Sequence, residues 1–82
     1  MATKNVSIQE TMYVPNFVDI SVGDRVQWMN NDRVMHTATG DGWSSGPILS
    51  MSSSVVGFNE AGTFAYRCEY TQITGTVSVK AK

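Results

Sequence analysis

The chain contains one histidine and one cysteine, His36 and Cys68, and these are the residues best suited to chemistry. Each lies where a strand-like stretch meets a loop, on segments that a β-sandwich could bring together. An imidazole and a thiolate form the beginning of a site for a transition metal. The pair therefore predicts a metal site, provided that the fold brings the two segments into contact.

Other kinds of functional site find little support in the sequence. No Ser or Cys lies in a recognisable nucleophile motif, and no Gly-rich phosphate loop is present. The six Lys and Arg are scattered and the net charge is −1, so the basic stripe that binds nucleic acid is missing. No apolar run approaches the roughly 20 residues of a membrane helix. We therefore expect no enzyme, no nucleic-acid partner and no membrane insertion.

Length and composition predict one all-β domain spanning residues 1–82. The chain is 41% hydrophobic and 16% charged, which is typical of a folded globular protein. Ten Val, four Ile and eight Thr stand against one Leu, and this balance favours pleated strands over helices. With a single cysteine, no internal disulfide can form, so packing or a metal must stabilise the fold.

Period-two alternation of apolar residues, bounded by turn residues, predicts about seven or eight short strands. The alternating positions are Val6 and Ile8, Met12 and Val14, Val18 to Val22, Val26 and Trp28, Phe64 to Cys68, and Val77 and Val79. We expect a tight hairpin at Gly23-Asp24. A short strand over 36–39 and a strand over 55–58 should flank a surface loop. Cys68 shares a face with two aromatic residues, so its thiol should point into the core or its rim.

The two tryptophans have different expected roles. Trp28 alternates in phase with Val26, so we expect it in the core. Trp43 lies in a Gly/Ser-rich loop. There it would cap the sandwich, with a place in a docking patch as the alternative.

Two blocks of the sequence closely resemble the plastocyanin and amicyanin branch of the cupredoxin family. One runs from Val22-Gly23-Asp24 through Trp28 and Asn30 to His36-Thr37, and the other runs from Gly62-Thr63-Phe64 to Cys68. The resemblance covers nearly the whole chain. It implies a Greek-key β-sandwich of the cupredoxin type, one copper ion, and electron transfer to a redox partner protein. It also implies a periplasmic, lumenal or extracellular location, although this chain shows no leader.

The copper ligands implied by the resemblance are only partly present. The family holds copper with residues matching His36 and Cys68, a second His three residues after the Cys, and a weak Met further on. Here the segment from Cys68 to Gly75 contains neither His nor Met. Either Thr71 replaces the His, or the His is deleted and Ile73 lies where the Met would be. The resemblance therefore implies an incomplete type 1 copper site.

Three further side chains lie near this site in the sequence. Gln72 is a weak candidate for a third metal ligand, because an amide can serve as an axial ligand of copper. Met35 is a second nearby donor. Glu69 should point away from Cys68 if the strand continues.

Copper-free interpretations stand beside the metal site. A lone His is commonly an ordinary polar residue, and a buried Cys commonly acts as a small hydrophobe. The chain would then be a β-sandwich scaffold or interaction domain whose site was lost naturally or by engineering of one loop. An immunoglobulin-like sandwich is disfavoured, because no second Cys lies upstream of Trp28. We expect a monomer, with a metal-bridged dimer as the alternative.

Overall fold

The computed structural model describes residues 2–81, which form nine β-strands and no helix. The strands are β1 (Thr3–Ile8), β2 (Tyr13–Val14), β3 (Phe17–Ser21), β4 (Arg25–Asn30), β5 (Thr39–Gly40), β6 (Trp43–Ser44), β7 (Ser53–Gly57), β8 (Gly62–Arg67) and β9 (Thr74–Lys80). Three of the nine have only two residues, so the count is close to the predicted seven or eight. Within the described residues, no helix is long and apolar enough to cross a membrane.

The strands form two mixed sheets that pack face to face. The first sheet has the order β2-β1-β4-β7 and the second has the order β3-β9-β8-β5-β6. β1 runs parallel to β4, and β3 runs parallel to β9, while the other neighbours are antiparallel. Alternate residues of each strand face the shared core, as in β4, where Val26 and Trp28 are fully buried. The prediction of an all-β sandwich is confirmed.

The predicted hairpin at Gly23-Asp24 is wrong. A turn is present, with the Asp24 N–H donating to the Ser21 carbonyl at 2.9 Å and Gly23 at a φ of 95°. The strands on either side nevertheless belong to different sheets, since β3 pairs with β9 and β4 pairs with β1 and β7. Both strands bury one face, so a turn that carries the chain from one sheet to the other satisfies the same alternation as a hairpin.

Two local assignments also differ from the sequence-based expectation. Met12 and Val14 are exposed, and Tyr13 between them is buried, because its ring packs on Tyr66 at 4.6 Å and its hydroxyl donates to the Thr37 carbonyl. The strand expected over 36–39 is reduced to a bridge between His36 and Ile48, followed by β5. Both differences lie where strands pair over only one or two residues, so the alternation of apolar residues is too short to predict which side chains are buried.

Aromatic rings fill the centre of the sandwich. Trp28 is fully buried and contacts Tyr66, with ring centroids 5.2 Å apart. Trp43 stacks on Trp28 at 5.8 Å and lies edge-on to Phe58, so it closes the side of the core. Trp43 therefore caps the sandwich, as expected.

Candidate metal centre

His36 and Cys68 meet at one end of the sandwich. His36 lies between β4 and β5 and is fixed by two backbone hydrogen bonds with Ile48, of 3.1 and 2.7 Å. Cys68 follows the last residue of β8 directly. Both side chains are buried, and His36 Nδ1 lies 3.4 Å from Cys68 Sγ. The fold thus places the only imidazole and the only thiol of the sequence in contact.

Asp32 holds the far side of the imidazole. Its Oδ2 lies 2.7 Å from His36 Nε2, so Nδ1 is the nitrogen left to face the sulfur. Burial lowers the pKa of His36, but hydrogen bonding to Asp32 and Cys68 outweighs it, and the pKa is raised overall. The hydrogen bond from His36 lowers the pKa of Asp32. The carboxylate therefore fixes the ring orientation and favours its protonated form.

The buried amide of Asn30 shapes the loop that carries Asp32 and His36. Its Nδ2 donates to the carbonyls of Val34 and Ile48, both at 2.8 Å, and its Oδ1 accepts from the Asp32 N–H at 2.9 Å. These three hydrogen bonds of one side chain connect the loop, at Asp32 and Val34, to the segment that contains Ile48. In the sequence, Asn30 stands only within the block that resembles the cupredoxin family.

The Cys68 thiol lies in surroundings that favour its ionised form. The Thr37 N–H donates to Sγ at 3.4 Å. Burial raises the pKa of Cys68, but the Thr71 side chain, the backbone N–H groups of Thr37 and Tyr70, and His36 together lower it to about 6. The lowered pKa favours the thiolate of Cys68, which is the form that binds metals.

The loop after Cys68 returns at once to β9. The Cys68 N–H donates to the Ile73 carbonyl at 3.1 Å, which closes a short loop that contains Thr71. Glu69 is exposed and its Oε1 accepts from Thr39, so this carboxylate lies away from the thiol. Gln72 is exposed, whereas the Thr71 Oγ1 atom is buried.

The contact of His36 with Cys68 is compatible with a bent pair of metal ligands. A tetrahedral metal about 2.3 Å from sulfur and about 2.0 Å from nitrogen would hold the two donors about 3.5 Å apart. A linear arrangement would need about 4.3 Å with the same bond lengths. The observed separation is 3.4 Å. Among residues 2–81, however, no group of three or more His, Cys, Asp or Glu side chains surrounds one point.

Asp32 was not foreseen as part of the site. The signal available was an acidic residue four positions before the only histidine, in a stretch of turn residues. Together the three side chains form the series Cys68, His36, Asp32, which resembles the order of a thiol hydrolase triad. The Cys68 side chain is only 1% exposed, so a substrate has no access to the sulfur. This arrangement suits a buried ligand pair better than a nucleophile.

Comparison with known proteins gives matches only at the level of structure. No family model and no curated protein sequence matches the chain. Oxidized amicyanin with a Met-to-Leu substitution matches at a TM-score of 0.87 and 25% identity, over 94% of this chain and 81% of that one. A Cu(I) form of an amicyanin mutant matches at 0.89 and 24% identity, covering 95% and 82%. A purple cupredoxin from Nitrosopumilus maritimus matches at 0.83 and 24% identity, covering 94% and 99%.

These similarities define the architecture of the chain. It has the cupredoxin fold, in which two β-sheets form a sandwich with the His36 and Cys68 segments at one end. Within that fold it is amicyanin-like, with the amicyanin structures superposing over nearly its whole length. The resemblance seen in the sequence is confirmed as a fold.

Proposed function

We propose that this chain is a small copper-binding protein that carries electrons and has no enzymatic activity. The observation that carries this proposal is the buried contact between His36 Nδ1 and Cys68 Sγ, at 3.4 Å. The structural neighbours support it, because they include amicyanin in a Cu(I) form and in an oxidized form. Copper bound here would supply the one-electron change between Cu(I) and Cu(II).

His36 and Cys68 are the proposed metal ligands. The thiolate is available because the surroundings of Cys68 lower its pKa to about 6. Asp32 orients the imidazole and keeps Nδ1 directed at the sulfur, a role that carboxylates commonly have behind metal-binding histidines. Asn30 holds the loop that carries Asp32 and His36 in place through the hydrogen bonds of its amide.

The proposed type 1 site is incomplete. The loop from Cys68 to Gly75 offers no second imidazole and no thioether. Gln72 remains a weak candidate for a further ligand, although its side chain is exposed and would have to turn inward. A redox partner protein would dock near His36, where exposed Met35 and Leu49 flank the bridge between His36 and Ile48.

A Cu(I) titration of the reduced protein tests this function. We expect one equivalent to bind, and Cys68→Ser and His36→Ala each to lower the affinity at least about tenfold. Glu69→Gln is the matched control, because Glu69 is close in sequence but its carboxylate is bonded to Thr39. Equal affinity in all four proteins would show that the site is not used.

The second candidate is a copper-free scaffold or interaction domain. The observation that favours it is that, within the described part of the chain, no third His, Cys, Asp or Glu joins the pair around a common point. This function predicts no stoichiometric metal in the same titration. It also predicts that Cys68→Ser gives the same result as the parent in the Cu(I) titration.

A further inference from the structure

We propose that strand β7 pairs antiparallel with β7 of a second copy of this chain, with Val55 opposite Val55 of the second copy. The pairing joins the four-stranded sheets of two molecules into one continuous sheet. It goes beyond the proposed function, because its contacts involve none of the residues assigned to the copper site, and the dimer needs no metal bridge.

Strand β7 lies at the edge of its sheet, where β4 is its only neighbour. At the two ends of this pairing, the Asn30 N–H donates to the Ser52 carbonyl at 2.8 Å and the Phe58 N–H donates to the Asp24 carbonyl at 3.0 Å. Antiparallel strands alternate between hydrogen-bonded and non-hydrogen-bonded pairs, so the even-numbered residues of β7 bond to β4. The odd-numbered residues therefore direct their backbone N–H and C=O groups away from the sheet.

The outward-directed backbone groups belong to Ser53, Val55 and Gly57. All three residues are exposed, and Val55 is 48% exposed. Among residues 2–81, no backbone hydrogen bond outside the pairing with β4 involves any of them. A row of unpaired donors and acceptors along an exposed edge is a template for another strand.

The β7 edge also lacks the features that usually prevent strands from pairing. Residues 42–59 contain no charged side chain. In the described part of the chain the other sheet edges differ, since β2 and β6 have only two residues each. The remaining edge strand, β3, carries Asp19, whose Oδ2 lies 3.2 Å from Lys80 Nζ. Short length and charge both protect an edge, so β7 is the edge best suited to a partner.

The spacing of the free backbone groups favours a second copy as that partner. Positions 53 and 57 lie at equal distances from Val55, so the strand is complementary to itself around a two-fold axis at Val55. In this register Ser53 faces Gly57 of the second copy, and every outward residue meets another outward residue. Each opposed pair then exchanges two hydrogen bonds. The two Val55 side chains lie next to each other, and no like charges oppose each other.

The size of the contact predicts a weak dimer. A strand of five residues spans about 17 Å, and pairing along this length buries less than the roughly 1,200 Å² of stable complexes. Dimers should therefore form only at high protein concentration. Weak association is also consistent with a sequence composition that is typical of a monomeric globular protein.

The first experiment measures sedimentation equilibrium of the metal-free protein, with a chelator present, from about 10 μM to about 1 mM. We expect the average mass to rise from that of one chain toward that of two. Val55→Lys should weaken the association about tenfold or more, because it places two like charges opposite each other. Phe17→Lys is the matched control, because Phe17 is 54% exposed on the other edge strand, β3, and this variant should associate like the parent.

The second experiment tests the register by disulfide formation between Ser53→Cys and Gly57→Cys proteins in a buffer with oxidised glutathione. Hydrogen-bonded antiparallel pairs have Cα atoms about 5.5 Å apart, which a disulfide can bridge. Cys68 is only 1% exposed, so its thiol does not compete. A mixture of the two variants should form cross-linked dimers faster than either variant alone.

Three results would overturn the proposal. A mass of one chain at every concentration would show that β7 does not pair. Parental association of Val55→Lys, with circular dichroism showing that it is folded, would place the contact elsewhere. Cross-linking of Ser53→Cys alone as fast as in the mixture would exclude the antiparallel register. The Cu(I) titration is a separate measurement, so each of these results leaves the proposed function intact.

Discussion

Gly75→Ala should destabilise the protein strongly, because the Tyr66 ring lies where a side chain of residue 75 would be. The two residues are paired across β8 and β9. A Cβ atom on Gly75 would lie less than 3.0 Å from three atoms of Tyr66, namely Cζ, Oη and Cε1. Tyr66 cannot move aside easily, since its ring contacts Tyr13 at 4.6 Å and Trp28 at 5.2 Å.

The size of the effect follows from this crowding. Overfilling a packed core costs about 1–3 kcal/mol. A loss of about 2 kcal/mol would lower the unfolding temperature of a domain of this size by about 8–16 °C. The Gly-to-Ala change by itself works in the opposite direction, by about 0.4–1 kcal/mol, because it reduces the entropy of the unfolded chain.

Thermal unfolding and urea titration followed by circular dichroism would measure the change. Gly57→Ala is the control, because the nearest atom to its Cβ would be Arg25 Cγ at 3.9 Å. That variant should be as stable as the parent or slightly more so. Tyr66→Leu combined with Gly75→Ala should be less destabilised than the sum of the single changes. A Gly75→Ala protein with parental stability would refute the packing argument.

The remaining predictions concern the candidate metal centre. Cu(II) added to the protein should give no strong, stable thiolate charge-transfer band, because a second imidazole is missing. Thr71→His should produce the band. An intense band in the parent protein would contradict this prediction. Asp32→Ala should lower Cu(I) affinity by about 10–100-fold, whereas Asp19→Ala should not, and equal affinities would mean that the carboxylate does not orient His36. Because the folded pKa of Cys68 is depressed to about 6, its stabilising effect is present above the ordinary thiol pKa and is lost as pH falls through 6. Urea midpoints of the metal-free protein, relative to those of Cys68→Ser, should therefore rise between about pH 6 and 9; a constant difference would contradict the shift.

The sequence predicted the sheet content, because this depends on regular alternation, whereas the contact of His36 with Cys68 was predicted only on condition that the fold brought their segments together. Phe64, Tyr66 and Cys68 face inward together, as their spacing indicated, with Tyr66 and Cys68 buried. Sheet membership was harder to predict. The turn at Gly23 connects two strands whose buried faces line the same core, and nothing in a period-two pattern distinguishes a hairpin from a crossing between sheets.

The details of the candidate metal centre could not be derived from the sequence. The roles of Asp32 and Asn30 depend on an irregular loop held by side-chain hydrogen bonds, where no periodicity applies. Tyr13 is another case, since its burial results from contacts with Tyr66 and Thr37, far away in the sequence. Residues in two-residue strands or loops are positioned by distant partners, which only the structure identifies.

The parallel pairing of β3 with β9 affects the order in which the parts of the protein can fold during synthesis. Phe17 pairs with Thr76, and β9 is the only neighbour of β3 in its sheet, so β3 has no hydrogen-bonded neighbour there until residues 74–80 have been made. Contacts so distant in sequence make folding slow. The loop after Cys68 is closed only when Ile73 and β9 are in place. Until Ile73 and β9 are in place, the thiol is therefore open to oxidants and to metal ions, and it is enclosed only after they have packed.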